Sequence, residues 1–276
     1  MSVIKSRHLG MPAQDGAGVK LTRVINQPGL RHQDPFLMLD EFRSDNPDDY
    51  IAGFPPHPHR GFCTLTYMLA GTMEHKDSVG NSGEVEAGGV QWMKAAKGII
   101  HAEMPKQVEG LMWGFQLWVN LPSAEKMSDP EWFDFPSAKI PEVQTGGTTL
   151  RLIAGNYVQE VGPVSLPGRD FFMADVKLHG EFELKSQQQE KRLAYVYEGE
   201  LELNGEAVSR GELLQLDSTT DLALKSGSGA GLIVLAAKPI NEPIAQYGPF
   251  VMNTSDELDT AIKDYQSGTF AANQKL

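Results

Sequence analysis

The apolar runs of this chain are short and end at glycine or proline, a pattern that favours strands and turns and leaves little room for helix. The 28 glycines and 17 prolines are spread along all 276 residues. Between them lie FCTLTYMLAG (62–71), GGVQWMKAA (88–96) and LMWGFQLWVNL (111–121), then runs at 169–178, 192–205, 211–217 and 229–237. The run at 111–121 is long and apolar yet lacks the 3.6-residue rhythm of an amphipathic helix, so it reads as a strand with the others. Helical spacing appears only in SDELDTAIKDYQSG (255–268), where Ser255, Leu258 and the late Gly268 suit a short capped helix. The two halves share a grammar. LTYMLAGTM and AYVYEGELE each pass through a glycine turn, and each is followed by a glycine-led strand, GGVQWM or GELLQL. The expectation is an all-β chain made of two tandem barrels. The proline-rich segment 122–141 reads as a linker, which divides the chain into residues 1–135 and 136–276, the second part ending in the helix.

The balance of charge excludes some partners. A formal net charge of -12 opposes direct binding to nucleic acid or to an anionic membrane, since both need clustered Lys and Arg. The single cysteine, Cys63, leaves no intramolecular disulfide to form and suits a reducing compartment. The first residues carry no apolar leader and no run of about 18 uncharged apolar residues occurs, so a cytoplasmic chain is expected. It is expected to act as a monomer.

Chemistry concentrates in two short segments. In FPPHPHRGF, His57 and His59 stand two residues apart, and in a strand such side chains leave the same face. GIIHAEMP repeats the spacing with His101 and Glu103. Three imidazoles and one carboxylate from two strands suit one borderline divalent ion (Fe, Mn, Co, Ni, Cu or Zn) and suit Ca or Mg poorly. The competing reading is a turn with two solvated histidines and an unrelated strand end. Two such pairs in a chain with only seven histidines favour the metal site.

At these residues the chain resembles the cupins, with Gly53, His57, His59 and Gly71 in the first motif and Gly89, Ala96, Gly98 and His101 in the second. It resembles one branch of them, the pirins, more closely. HPHRGFCTLTYMLAGTMEHKDSVG, QWMKAAKGIIHAEMP, FQLWVNLP and EPIAQYGPFVMNTSDELDTAIKDYQSGTF all look like pirin segments. The resemblance implies two cupin barrels, of which the N-terminal one holds a metal, commonly iron (Fe2+), at the positions of His57, His59, His101 and Glu103. It implies a metal-free second barrel, in agreement with a half whose lone histidine, His179, reads as structural or surface.

One position departs from the pattern. Cys63 stands where cupins, and most pirins, have glutamate, and three readings compete for it: a buried hydrophobe, a redox-sensitive thiol, or an extra soft ligand. His75 and Asp77 also match the pirin pattern, either around the site or at the surface. Trp92, Met93, Trp113, Phe115 and Trp118 either line an aromatic-accepting pocket or fill core.

For activity, the resemblance implies a quercetin 2,3-dioxygenase-type oxygenase acting on small aromatic flavonols with O2 and releasing carbon monoxide. Glu103 is then both ligand and general base. Two other roles are consistent with the same residues: a metal-dependent regulatory protein with a protein partner in transcription or metabolism, and a cupin whose metal is purely structural.

Overall fold

A computed structural model of the chain describes residues 2–166, 170–186 and 191–271. The runs read above as strands are strands, although Arg169, which begins one of them, lies outside the described residues. Among the described residues no helix is long and apolar enough to cross a membrane.

Contacts divide the chain into two compact units, and each unit takes in one terminus from beyond the middle of the chain. Met11–Ser137 groups with Ile240–Leu276, and Ala138–Pro239 groups with Met1–Gly10. A cut between 135 and 136 falls near one of these boundaries, but the C-terminal helix goes with the first unit rather than the second.

The first unit holds a seven-stranded antiparallel sheet. Its order is Glu131–Phe135, Val90–Lys94, Phe62–Ala70, Met112–Asn120, Phe36–Ser44, Val19–Ile25, Met11–Asp15. A four-stranded sheet joins Phe54–His59, Ile99–Pro105, Met73–Asp77 and Ser82–Val85. The edge strand Glu131–Phe135 corrects the reading of 122–141 as plain linker: Glu131 faces Lys94 and Phe135 faces Val90 in register. An edge strand needs only one partner, so EWFDF pairs without the long apolar run that marks a central strand.

The second unit repeats the order. Its main sheet runs Ile4–Leu9, Glu212–Leu216, Lys191–Leu203, Leu222–Ala237, Phe171–Leu184, Thr148–Ala154, Glu142–Thr145, with Glu206–Ser209 paired beside Lys191–Leu203. The N-terminal strand Ile4–Leu9 takes the edge that Glu131–Phe135 takes in the first unit. Leucine and valine fill the interior, with Leu152, Leu184, Leu203, Leu224 and Leu232 all fully buried or nearly so.

In the first unit the chain turns from one sheet to the other between His59 and Phe62. Gly61 sits there at φ +92° with its N–H donating to the Ala96 carbonyl, and a Cβ at that position would collide with the Val251 carbonyl. Any L side chain would be strained at such a φ. The buried Lys126 ammonium fastens the same corner, donating to Gly61 O at 2.7 Å, Asn120 Oδ1 at 2.7 Å and Val251 O at 2.9 Å. Three partners satisfy its three donors, which is what makes a buried ammonium tolerable.

The helix Ser255–Ser267 is capped one residue earlier than the sequence reading placed it. Thr254 accepts from the Glu257 N–H, the Glu257 carboxylate accepts from the Thr254 N–H at 3.0 Å, and Gly268 closes the helix at φ 80°. Arg60 reaches it through an ion pair with Asp264 at 2.7 Å, and the guanidinium lies over the Phe270 ring. The residue after His59 is thereby anchored to the C-terminal segment.

Candidate metal centre

The pairing register brings the two ligand-type segments together. His101 on Ile99–Pro105 lies directly opposite His57 on Phe54–His59, and a register shift between His101 and Glu103 lets Glu103 face Phe54. Spacing of two keeps each pair on one face, and the register converts two local pairs into one cluster. Ring centroids of His57, His59 and His101 lie 4.4 to 4.8 Å apart. Glu103 joins His101 from the same strand, its Oε2 standing 4.0 Å from His101 Nε2.

The nitrogens face inward. His57 Nδ1 lies 2.8 Å from the Pro55 carbonyl, which can only accept, so Nδ1 carries the proton and Nε2 offers its lone pair. His57 Nε2 and His59 Nε2 are 3.0 Å apart. Two nitrogens about 2.1 Å from one ion at a right angle would be separated by about that distance. His101 Nε2 is buried with no hydrogen-bond partner. An unpartnered buried polar atom costs about 1–3 kcal/mol, so one aimed into a cluster of like donors fits a place built for a cation. The donor set and the orphaned nitrogen fit a borderline divalent ion.

Burial pushes the His59 and His101 imidazoles well below their ordinary value. The neighbouring His57 pushes both further the same way, while the Pro249 carbonyl pulls His59 back up. Neutral imidazole is the form that ligates.

Glu103 is 4% exposed and held at both oxygens. The Thr66 hydroxyl is shared between Glu103 Oε1 at 2.9 Å and Gln116 Oε1 at 2.6 Å, and the Gln116 amide donates to Glu103 Oε2 at 3.4 Å. Thr66 and Gln116 sit opposite each other in the large sheet, as do Gln116 and Asp40, and then Asp40 and Arg23. A row of polar side chains therefore crosses the inward face of that sheet beneath the cluster. Arg23 grips Asp40 with two bonds, Nε to Oδ1 at 2.9 Å and Nη2 to Oδ2 at 2.7 Å. Burial nonetheless raises the Asp40 carboxyl to about 6, against the pull of Arg23.

His57, His59 and Glu103 line a cleft of about 1230 Å³, to which Gln116, Trp118 and Asp40 also contribute. Trp118 alone among the five large side chains named above lines it, with its ring 5.1 Å from that of His59. Thr66, Gln116, Arg23 and Asp40 did not stand out in the sequence, although a threonine at 66 inside FCTLTYML and a glutamine inside WGFQLWV are polar breaks in apolar strands.

Strand parity disposes of Cys63 as a ligand. Phe62 and Thr66 turn toward the cluster, Phe62 against His59 and Thr66 onto Glu103, so Cys63 points to the opposite face, where it is fully buried. His75 and Asp77 are buried rather than at the surface. His75 lies behind His101 with Nδ1 3.3 Å from His101 Nδ1. Burial pushes Asp77 up, but the nearby His75 ring and the bonds from Asn81 and Val79 outweigh it and hold the carboxyl below its ordinary value. In the second unit His179 is exposed.

Comparison with known proteins agrees with this architecture. The family model Pirin matches residues 18–119, and the model for the pirin C-terminal cupin domain matches residues 173–271. A Pseudomonas aeruginosa protein named "Putative quercetin 2,3-dioxygenase PA3240" is 48% identical over 274 residues, covering 96% of both chains. Human Pirin is 34% identical over 274 residues, covering 94% of this chain and 90% of its own. The crystal structure of a quercetin 2,3-dioxygenase from Acinetobacter baumannii superposes with a TM-score of 0.90 at 30% identity, covering 99% of each chain. With two cupin domains and this likeness along nearly its whole length, the chain belongs to the pirin family.

Proposed function

We propose that this pirin is a metal-dependent dioxygenase that opens flavonols of the quercetin type, with its ion held by His57, His59, His101 and Glu103. The observation that carries the reading is the convergence of the His57, His59 and His101 nitrogens within 4.8 Å of one another, with Glu103 beside His101, against a cleft lined by His57, His59 and Glu103 and roomy enough for a polycyclic aromatic. At about 1230 Å³ it exceeds the ~300–1,000 Å³ common for small-ligand sites. A divalent ion there, iron by family likeness, supplies Lewis-acid polarisation of the flavonol 3-hydroxyl.

The rest falls to the side chains. Glu103 accepts the 3-hydroxyl proton, and the bonds from Thr66 and Gln116 keep its two oxygens turned to the cleft. Trp118 and Phe54 offer apolar surface to a flat ring system. Arg23 and Asp40, which also line the cleft, offer polar contacts to ring hydroxyls. Both atoms of O2 enter the ring-opened ester, and the ring carbon that bore the 3-hydroxyl leaves with that oxygen as carbon monoxide.

The test is turnover of quercetin in aerated buffer by protein loaded separately with Fe, Mn, Co, Ni, Cu or Zn, read as loss of flavonol absorbance together with carbon monoxide release. Turnover with at least one ion, lost in His59→Ala, is expected. Absence of turnover with every ion contradicts the reading.

A further inference from the structure

We propose that His75, backed by Asp77, fixes the proton of His101 on Nδ1 and so turns the His101 Nε2 lone pair toward the ion, a positioning role that rests on His101 being a ligand. The strand Met73–Asp77 lies along the far side of Ile99–Pro105 from the histidine strand, and the register sets His75 opposite Glu103 and Asp77 opposite His101. His75 is fully buried and is absent from the walls of the cleft, so it meets His101 and not the substrate.

The direction of the proton follows from what holds Asp77. Its Oδ1 accepts from the backbone N–H of Val79 at 3.0 Å and of Asn81 at 2.9 Å, and its Oδ2 accepts from the Asn81 amide at 2.8 Å. A carboxylate tethered at both oxygens stays where it is. His75 Nε2 stands 3.6 Å from Oδ2, too long for a good hydrogen bond but close enough for the charge to act. A lone pair turned toward that oxygen is repelled, whereas an N–H is attracted, so Nε2 of His75 carries the proton.

His75 Nδ1 is then an acceptor, and the only hydrogen that fits the 3.3 Å gap is the Nδ1–H of His101. His101 Nε2 is left bare, 4.0 Å from Glu103 Oε2 and without a hydrogen-bond partner. His57 reaches the same state by a different route, through the Pro55 carbonyl. The Trp132 ring, stacked on His75 at 5.6 Å and 23°, holds the plane of the relay.

Groups that orient a ligating imidazole in this way typically govern about 10–100-fold of metal affinity. Two measurements test the role. Nitrogen-15 NMR of the imidazoles in metal-free protein should find His101 protonated at Nδ1, and chelator competition should find His75→Leu weaker for Fe2+ or Ni2+ by about 10–100-fold. His75→Gln, whose amide oxygen accepts the same hydrogen, should stay within a few-fold of wild type. If His75→Leu does not fold, Asp77→Asn and the wild-type spectrum still decide. A proton on Nε2 of His101 in wild type, or unchanged affinity in folded His75→Leu, overturns the proposal. So does a wild-type stoichiometry of two ions falling to one in His75→Leu, which would make His75 a ligand. Should wild type bind no divalent ion, the metal reading falls by itself, and the proton found on His101 still judges the role of His75.

Discussion

In the histidine-bearing unit His57 pairs with His101 and His59 with Ile99; at the matching place in the other unit Phe182 pairs with Leu224 and Leu184 with Leu222. Strand order is the same in both. On the neighbouring strand, Asp77 faces His101 in one unit and Leu203 faces Leu224 in the other. One scaffold thus carries two interiors. Where histidines and acids converge, the interior borders a cleft and leaves imidazole nitrogens of His59, His75 and His101 without hydrogen-bond partners; where leucines converge, the interior closes into a packed cluster. Close packing is worth more to stability than a half-satisfied polar cluster, so at this matched place the second unit gains stability that the first forgoes.

That contrast can be broken by exchanging small groups. The largest effect is expected at Glu103→Gln, which keeps the shape and removes both the base and the anionic ligand: flavonol turnover in protein saturated with metal should fall by about 10²–10⁴-fold, with a thermal midpoint of the metal-free protein close to wild type. Equal loss of fold and activity would mean that Glu103 is structural. Next comes Leu224→Ala, the counterpart of a change at His101. It should cost about 2–5 kcal/mol in urea unfolding while leaving the metal content of the folded protein unchanged. Metal loss there, without unfolding, would erase the division between the two interiors.

A smaller effect concerns pH. Asp40 has a carboxyl raised to about 6 by burial, from an ordinary 3.8. The folded chain therefore holds a proton that the unfolded chain has released between pH ~4 and ~6, and this contribution to stability is present at the acid end and is lost as pH rises through that window. In metal-free protein, wild type should lose stability relative to Asp40→Asn on going from pH 4 to pH 6.5, measured as the difference in urea midpoints. A difference constant with pH would show that Arg23 holds Asp40 ionised throughout.

Much of the site was legible in the sequence because its residues come in pairs two apart, and a strand turns such pairs to one side without help from the rest of the chain. Cys63 yields to the same parity once Phe62 and Thr66 are seen on the face of the cluster. What was not legible depends on register. Nothing in GIIHAEMP says that His101 will stand opposite His57, that Glu103 will be held by Thr66 and Gln116, or that His75 will close in from the other side. The strand alternation of the fold was also legible, but the edges were not. Ile4–Leu9 pairs with a strand some two hundred residues away, and Glu131–Phe135 lies among prolines that read as a linker. The helix was visible from its own spacing, yet its place beside the first unit follows from contacts such as Arg60 with Asp264.

The central claim is that one ion sits on His57, His59, His101 and Glu103 and that the second unit holds none. Elemental analysis of purified protein, combined with X-ray absorption at the edge of the metal found, tests it most directly. The account predicts one divalent ion per chain in a shell of nitrogen and oxygen, lost in His59→Ala and in His101→Ala and kept in Leu224→Ala. An ion that survives both histidine changes, or a sulfur ligand in its shell, would contradict it.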